Sequence, residues 1–262
     1  MAELTVFEAV ISGNTTYLQK LVHLKADIEA KGECGKTALI SAVENGHIPC
    51  MSVLLNAKAD VNAADDSGET ALIWAAQNDD PACVRVLLDA GAHIEAVDDH
   101  GKTPLIWAAL CGNSDSVQML VDAKANLETT DKGHQTALIW AVLYCHDACA
   151  RVLIEANADV HAKTDEGDTP IMISAVNGDS EGMQVLLDAG AGINDTDADG
   201  NTPLMWVVRG YEQCVHLLLA SNADIELTNK NGETALMTAA AAGDCEIIEA
   251  LLSAAKVNYA SE

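Results

Sequence analysis

The chain has 262 residues, with 14 Lys and Arg against 40 Asp and Glu, for a formal net charge of −26. That balance argues against binding nucleic acid or an anionic membrane through general electrostatic attraction and favours basic partners; the same charge also keeps an Ala- and Leu-rich surface soluble. No apolar run reaches 18 residues, and Met1-Ala2-Glu3-Leu4 has neither the basic segment nor the long apolar core of a secretory signal.

Residues 1–31 supply two short helices, around Val6-Phe7-Glu8-Ala9-Val10 and Tyr17-Leu18-Gln19-Lys20-Leu21-Val22, with no turn-rich loop ahead of them. They read as an amino-terminal cap. From there the chain repeats: Thr37, Thr70, Thr103, Thr136, Thr169 and Thr202 are each 33 residues apart, and Thr234 follows after 32. A repeat at this spacing is one supersecondary unit that cannot bury its apolar side alone.

The clearest copy is Thr103-Pro104-Leu105-Ile106-Trp107-Ala108-Ala109. Thr before Pro starts a helix, because the hydroxyl caps a free amide and Pro at the first helical position loses no hydrogen bond; Pro104, Pro170 and Pro203 fit. At about 100° per residue from Leu105, the residues Ala108, Ala109 and Gly112 form a narrow core stripe of small side chains. A turn residue follows (Gly46, Asp79, Gly112, Gly178 or Gly243), then a second helix, with Pro49 and Pro81 in first turns and Leu54-Leu55 or Leu87-Leu88 near its end. Ala59-Asp60-Val61-Asn62, Ala92-His93-Ile94-Glu95 and Ala158-Asp159-Val160-His161 then lead into an Asp- and Gly-rich turn. Each unit is therefore helix, turn, helix and hairpin-like finger. The internal units are 32–64, 65–97, 98–130, 131–163, 164–196 and 197–228, and 229–262 is the carboxyl-terminal cap. With no linker between them, 1–262 reads as a single domain of eight stacked units.

Two units depart from the pattern. In the fifth, Gly133-His134-Gln135 puts Gly one place early and Cys145-His146 replaces the turn Gly-His. In the seventh, one residue is missing between Thr202 and Gly210, so Val207 and Val208 stand where Ala usually packs. A local shift in stacking is expected.

The order Asp65-x-x-Gly68-x-Thr70-x-Leu72-x-x-Ala75, then Val84-x-x-Leu87-Leu88-x-x-Gly91-Ala92, resembles the ankyrin repeat. The resemblance covers essentially the whole chain, in seven copies in phase. It implies an all-α fold, an ankyrin-repeat α-solenoid with protruding β-hairpin-like fingers, acting as a scaffold for protein-protein interaction. The His usual after the motif's Leu is replaced by Ile40, Ile73, Ile106, Ile139, Met172, Met205 and Met237, so the family's hydrogen-bonded His network does not carry over.

All four Trp residues, Trp74, Trp107, Trp140 and Trp206, stand four places after the repeat Thr. That position is rotated about 200° from the core Leu and points toward the groove formed by first helices and fingers. Ile173, Ser41 and Thr238 take the place elsewhere, and Tyr144 extends the strip from Trp140. One reading is packing, since bulky residues here cover the neighbouring helix. The other is an aromatic ladder in a groove with an acidic rim of Asp65, Asp66, Glu69, Asp98, Asp99 and Asp131. Such a surface suits a Lys- or Arg-bearing peptide, each cation over an indole contributing about 0.5–2 kcal/mol. The ankyrin domains of certain histone lysine methyltransferases look similar, and by that resemblance Trp107 and Trp140 are cage candidates for methylated lysine.

Cys50, Cys83, Cys149 and Cys214 share one position of the second helix. Neighbouring copies are then about 8–10 Å apart, beyond the roughly 7 Å limit for a disulfide, and read as small buried hydrophobes in a reducing compartment, cytoplasmic or nuclear. Asp195-Thr196-Asp197-Ala198-Asp199-Gly200 resembles the start of a calcium loop, but the twelfth position is Trp206 rather than Glu. Cys145, His146 and Cys149 lack a second ligand pair, so no metal is assigned. Resemblance to the family raises Asn hydroxylation at Asn62 or Asn194. No phosphate-cradling Gly loop, nucleophile elbow or cofactor motif is found, and the reading is a monomeric, non-catalytic binder of a basic protein segment. The alternatives are an inhibitor that occludes an enzyme with its fingers, or a spacer with no groove ligand.

Overall fold

The computed structural model describes residues 5–207 and 211–260, with side chains to 256. Among them are sixteen α-helices and no strand; the fingers carry one isolated antiparallel bridge, between Ala64 and Thr70. Val208 and Gly210 of the irregular seventh unit lie outside the described residues.

The chain forms two compact units, 1–132 and 133–262. The first holds α1 (Val6–Ile11), α2 (Thr15–His23), α3 (Ala38–Glu44), α4 (Ile48–Asn56), α5 (Ala71–Gln77), α6 (Pro81–Asp89), α7 (Pro104–Cys111) and α8 (Ser114–Asp122). Its inner helices α1, α3, α5 and α7 pack in series, each against its own outer helix. The second unit holds α9 (Ala137–Leu143), α10 (Asp147–Glu155), α11 (Pro170–Asn177), α12 (Ser180–Asp188), α13 (Pro203–Trp206), α14 (Glu212–Ala220), α15 (Ala235–Ala242) and α16 (Cys245–Ala260), arranged in the same way.

The capping Thr behaves as the sequence suggests in most copies. The hydroxyls of Thr37, Thr70 and Thr103 accept the N–H of Ile40, Ile73 and Ile106 at 3.3, 3.4 and 3.2 Å, and Thr136 and Thr234 do the same in the second unit. Each such cap is worth about 1 kcal/mol. Thr169 and Thr202 differ: their hydroxyl oxygens are buried with no hydrogen-bond partner among the described residues, and Met172 Sδ instead lies 3.5 Å from the Thr169 backbone nitrogen.

The buried face of the inner helices is broader than the narrow stripe read from the sequence. Leu105 and Ile106 are both 1% exposed and Ala108 and Ala109 fully buried. An interior inner helix such as α5 is covered by α3 and α7 and by its own outer helix, so only the Trp position and the helix end keep access to solvent. Ile106, where the family's His would stand, is simply apolar filling.

Cys50 and Cys83 in the first unit, and Cys149 and Cys214 in the second, are fully buried, and none of the eight cysteines, all among the described residues, forms a disulfide. Cys83 Sγ donates to Met51 Sδ at 3.2 Å. Burial pushes the Cys83 thiol far above its ordinary value and Cys214 to about 11.

Successive fingers are stitched by backbone. In the first unit Asp66 N–H donates to Cys34 O, Asp99 N–H to Ser67 O and Lys132 N–H to His100 O, at 3.0, 2.9 and 3.0 Å. In the second, Ala198 N–H reaches Glu166 O at 3.0 Å and Lys230 N–H reaches Asp199 O at 2.9 Å. Gly68, at φ +78°, permits this twice over, since a Cβ there would also lie 3.0 Å from Asp99 N. In the fifth unit His134 takes the equivalent left-handed position at φ +57°, which is how the finger absorbs a Gly placed one residue early. Cys145 likewise adopts φ +56° at the turn position that Gly46, Gly112 and Gly178 fill elsewhere.

Candidate functional site

Trp74 on α5 and Trp107 on α7 are half-buried in the first unit. Each is held by a carboxylate nine residues upstream. Asp65 Oδ1 accepts the N–H groups of Ser67 and Glu69, both at 2.9 Å, shaping the finger, while Oδ2 accepts Trp74 Nε1–H at 3.0 Å. Asp98 repeats this with His100 and Lys102 at 2.8 Å and Trp107 Nε1–H at 3.0 Å. In the second unit Asp197 does so with Asp199, Asn201 and Trp206. Burial pushes the Asp197 carboxyl upward, but hydrogen bonds from the Asn201 side chain, two backbone N–H groups and the Trp206 indole outweigh it and hold the group below its ordinary value.

The acids read together as a rim are therefore of two kinds. Asp65, Asp98 and Asp131 are only 7%, 6% and 5% exposed, whereas Asp66 and Asp99 face solvent. Asp131 receives Lys102 Nζ at 3.3 Å. Glu69 is half-buried and accepts Gln77 Nε2–H at 2.7 Å; burial raises its carboxyl, against the lowering effect of Gln77, and Asp65 and Asp98 add to the rise.

The Asp–Trp pairing also has a signal in the sequence. All four Trp residues have Asp nine places before them, at 65, 98, 131 and 197. In the three repeats with Ser41, Ile173 or Thr238 instead, that place holds Gly32, Thr164 or Asn229. The two positions change together.

Cations of the chain itself lie on the indoles of the first unit. Lys36 Nζ is 4.0 Å from the Trp74 ring centroid and 2.8 Å from Glu44, and Lys102 Nζ is 5.8 Å from the Trp107 centroid. In the second unit Trp140 and Tyr144 stack with centroids 5.9 Å apart, and Tyr144, 54% exposed, continues onto His146 at 6.2 Å. Leu143, Val176 and Tyr211 are also exposed there.

The remaining sequence candidates have local employment. Asp195 lies 3.3 Å from His161, and Cys149 is buried while Cys145 is exposed. Asn62 and Asn194 accept the backbone N–H of His93 and Asp224 at 2.8 and 2.9 Å, tying one finger to the next. Among the described residues no group of three or more His, Cys, Asp or Glu has the geometry to hold a metal, and no helix is long and apolar enough to cross a membrane.

The family model described as ankyrin repeats (3 copies) matches residues 6–98, 91–164, 156–229 and 171–261. No curated protein matches. Among solved structures, the human ASB11 ankyrin repeat domain is 26% identical with a TM-score of 0.73, covering 81% of this chain and 96% of its own. The ankyrin repeat domain of Bcl-3, a member of the IkappaB protein family, is 25% identical with a TM-score of 0.72, covering 96% and 99%. An ankyrin repeat domain from Acinetobacter baumannii is 29% identical with a TM-score of 0.66, covering 70% and 97%.

Proposed function

The chain belongs to the ankyrin-repeat family, whose domains are protein-interaction modules and typically non-catalytic, and on that premise we propose that it is a scaffold that binds a basic protein segment along its inner helices and fingers. The division into eight units with caps at 1–31 and 229–262 belongs to this reading, as does an intracellular, reducing setting suited to its buried thiols.

The observation that carries it is the locking of the indoles. With the N–H of Trp74, Trp107 and Trp206 spent on a carboxylate of the same repeat, the rings are ordered before binding and offer a partner their faces, which in the first unit it would share with or take from Lys36 and Lys102. A ring face attracts cations, and Lys36 over Trp74 shows the geometry within the molecule. Asp66 and Asp99, exposed on successive fingers of the first unit, supply the steering charge. The buried Asp65 and Asp98 act by holding the rings.

The test is affinity capture from eukaryotic lysate, comparing the native chain with an Asp66→Lys/Asp99→Lys variant of matched helicity, followed by titration of the captured partner's basic segment at two salt concentrations. Loss of that partner in the variant, with affinity falling as salt rises, supports the reading. Equal retention and no salt dependence move the interface elsewhere.

A further inference from the structure

The aromatic position is vacated in the second repeat, where Ser41 stands in place of Trp, and a hollow of about 440 Å³ opens there in the first unit. Phe7 and Ile11 of α1 form its apolar wall, and Ile11 is 56% exposed. Gly32 lies tight against the Phe7 ring, where a Cβ would sit 2.9 Å from Cε1, so the finger is seated on that wall. Glu33, Cys34 and Lys36 from the finger and Glu44 from α3 complete the lining.

Its charges do not cancel. Glu44 is engaged by Lys36 at 2.8 Å, and Lys36 is further held over Trp74 at 4.0 Å. Glu33 is exposed, and its side chain has no hydrogen bond or ion pair among the described residues. Two carboxylates against one ammonium leave a net charge of one negative beside an aromatic and an aliphatic wall. A volume of this size is within the range that admits a side chain together with its backbone.

We propose that this hollow is an anchor pocket for one arginine side chain of a protein partner, its stem lying on Phe7 and Ile11 and its guanidinium meeting Glu33 and the free edge of Glu44. A planar fork matches carboxylates better than an ammonium does and stacks on an aromatic face, which favours Arg over Lys. The identity of the partner as a protein rests on the function proposed above; the chemistry of the pocket does not, and short peptides address it directly.

The experiment uses the full chain and three acetylated, amidated pentapeptides that differ only in a central Arg, Lys or Leu. Binding is followed by amide NMR shifts, and occupancy by the alkylation rate of Cys34, which lines the hollow, with the exposed Cys111, Cys145 and Cys245 as internal controls. The expected result is that the Arg peptide shifts the amides of 32–36 and Glu44 and slows alkylation at Cys34 alone. Lys should bind more weakly and Leu not detectably.

Glu33→Gln should weaken the Arg peptide about tenfold. Ser41→Trp, which puts into the hollow the residue other repeats carry, should abolish its effect, with Ser41→Ile as the substitute if Trp at 41 unfolds the chain. Equal binding of all three peptides, unchanged binding in Glu33→Gln and the filled variant, or no protection of Cys34 overturns the pocket. Trp107→Ala separates the two readings: groove capture is expected to fall while Cys34 protection by the Arg peptide persists.

Discussion

An indole N–H aimed at a buried carboxylate constrains both partners, and the cost of breaking the pair falls on the carboxylate. In Trp74→Phe much of the ring area remains but Asp65 Oδ2 loses the indole donor, so a loss of about 1–3 kcal/mol is expected in urea unfolding. Adding Asp65→Asn should recover part of it, because the residue left behind is then uncharged; no recovery would mean the loss came from packing. The opposite sign is expected at Cys145, held at φ +56°. Cys145→Gly should stabilise the chain by about 0.5–1 kcal/mol, seen as a higher Tm. The left-handed turn residues were legible, because Gly fills that place in other copies. The inward aim of Asp65 and Asp98 was not, since a single finger sequence does not say which way a carboxylate faces; only comparison among copies, Asp with Trp and neither without the other, carries it.

Between elements, the start of α10 and the cap of α12 bring two acids together. Asp179 Oδ1 accepts Gly182 N–H at 2.9 Å, but Oδ2 is buried and receives no N–H donor among the described residues, and the Asp147 carboxyl is raised by burial and then by the neighbouring Asp179. Glu181 adds to the negative field, and Arg151, bonded to Glu181 at 2.8 Å, partly offsets it. Because the folded state holds the Asp147 proton more tightly than the unfolded chain, the pair contributes stability at low pH that is lost as pH rises from the ordinary carboxylate range through the raised folded value. Asp179→Asn keeps the cap oxygen and supplies a donor toward Asp147. It should raise stability by roughly 1 kcal/mol at pH 7 and by less at pH 3.5, measured by thermal melts at both; a gain independent of pH would mean that repulsion is not its source. At this scale the helix starts were readable from Thr and Pro, except that Thr169 and Thr202 do not cap. There a Met at the third helical position brings its sulfur to the Thr169 backbone N–H, a choice made by side-chain packing rather than by the local motif.

Across the whole chain, a net charge of −26 sets repulsion against folding. Raising KCl from 10 to 300 mM shortens the Debye length from about 30 Å to under 8 Å, and Tm should rise accordingly. A flat or falling response would show that the acids are already compensated locally, as Asp65 and Asp98 are by their N–H donors. The fold was the most legible property of all, because a 33-residue period constrains every copy at once, whereas the groove's chemistry depends on orientations that the period leaves open.

The Trp–Asp pair has a consequence for how such a chain can be rewritten. Its two members lie nine residues apart inside one repeat, so duplication or transplantation of that repeat carries an aromatic together with the group that holds it. The pair is a portable cassette. Installing it in the last repeat through Asn229→Asp with Thr238→Trp adds a pre-oriented ring in a single step, whereas either change alone supplies one half of a lock. Lineages and engineers alike should therefore gain or lose Trp at this position of the repeat by whole pairs, making the number of such rings a heritable variable that changes in integers.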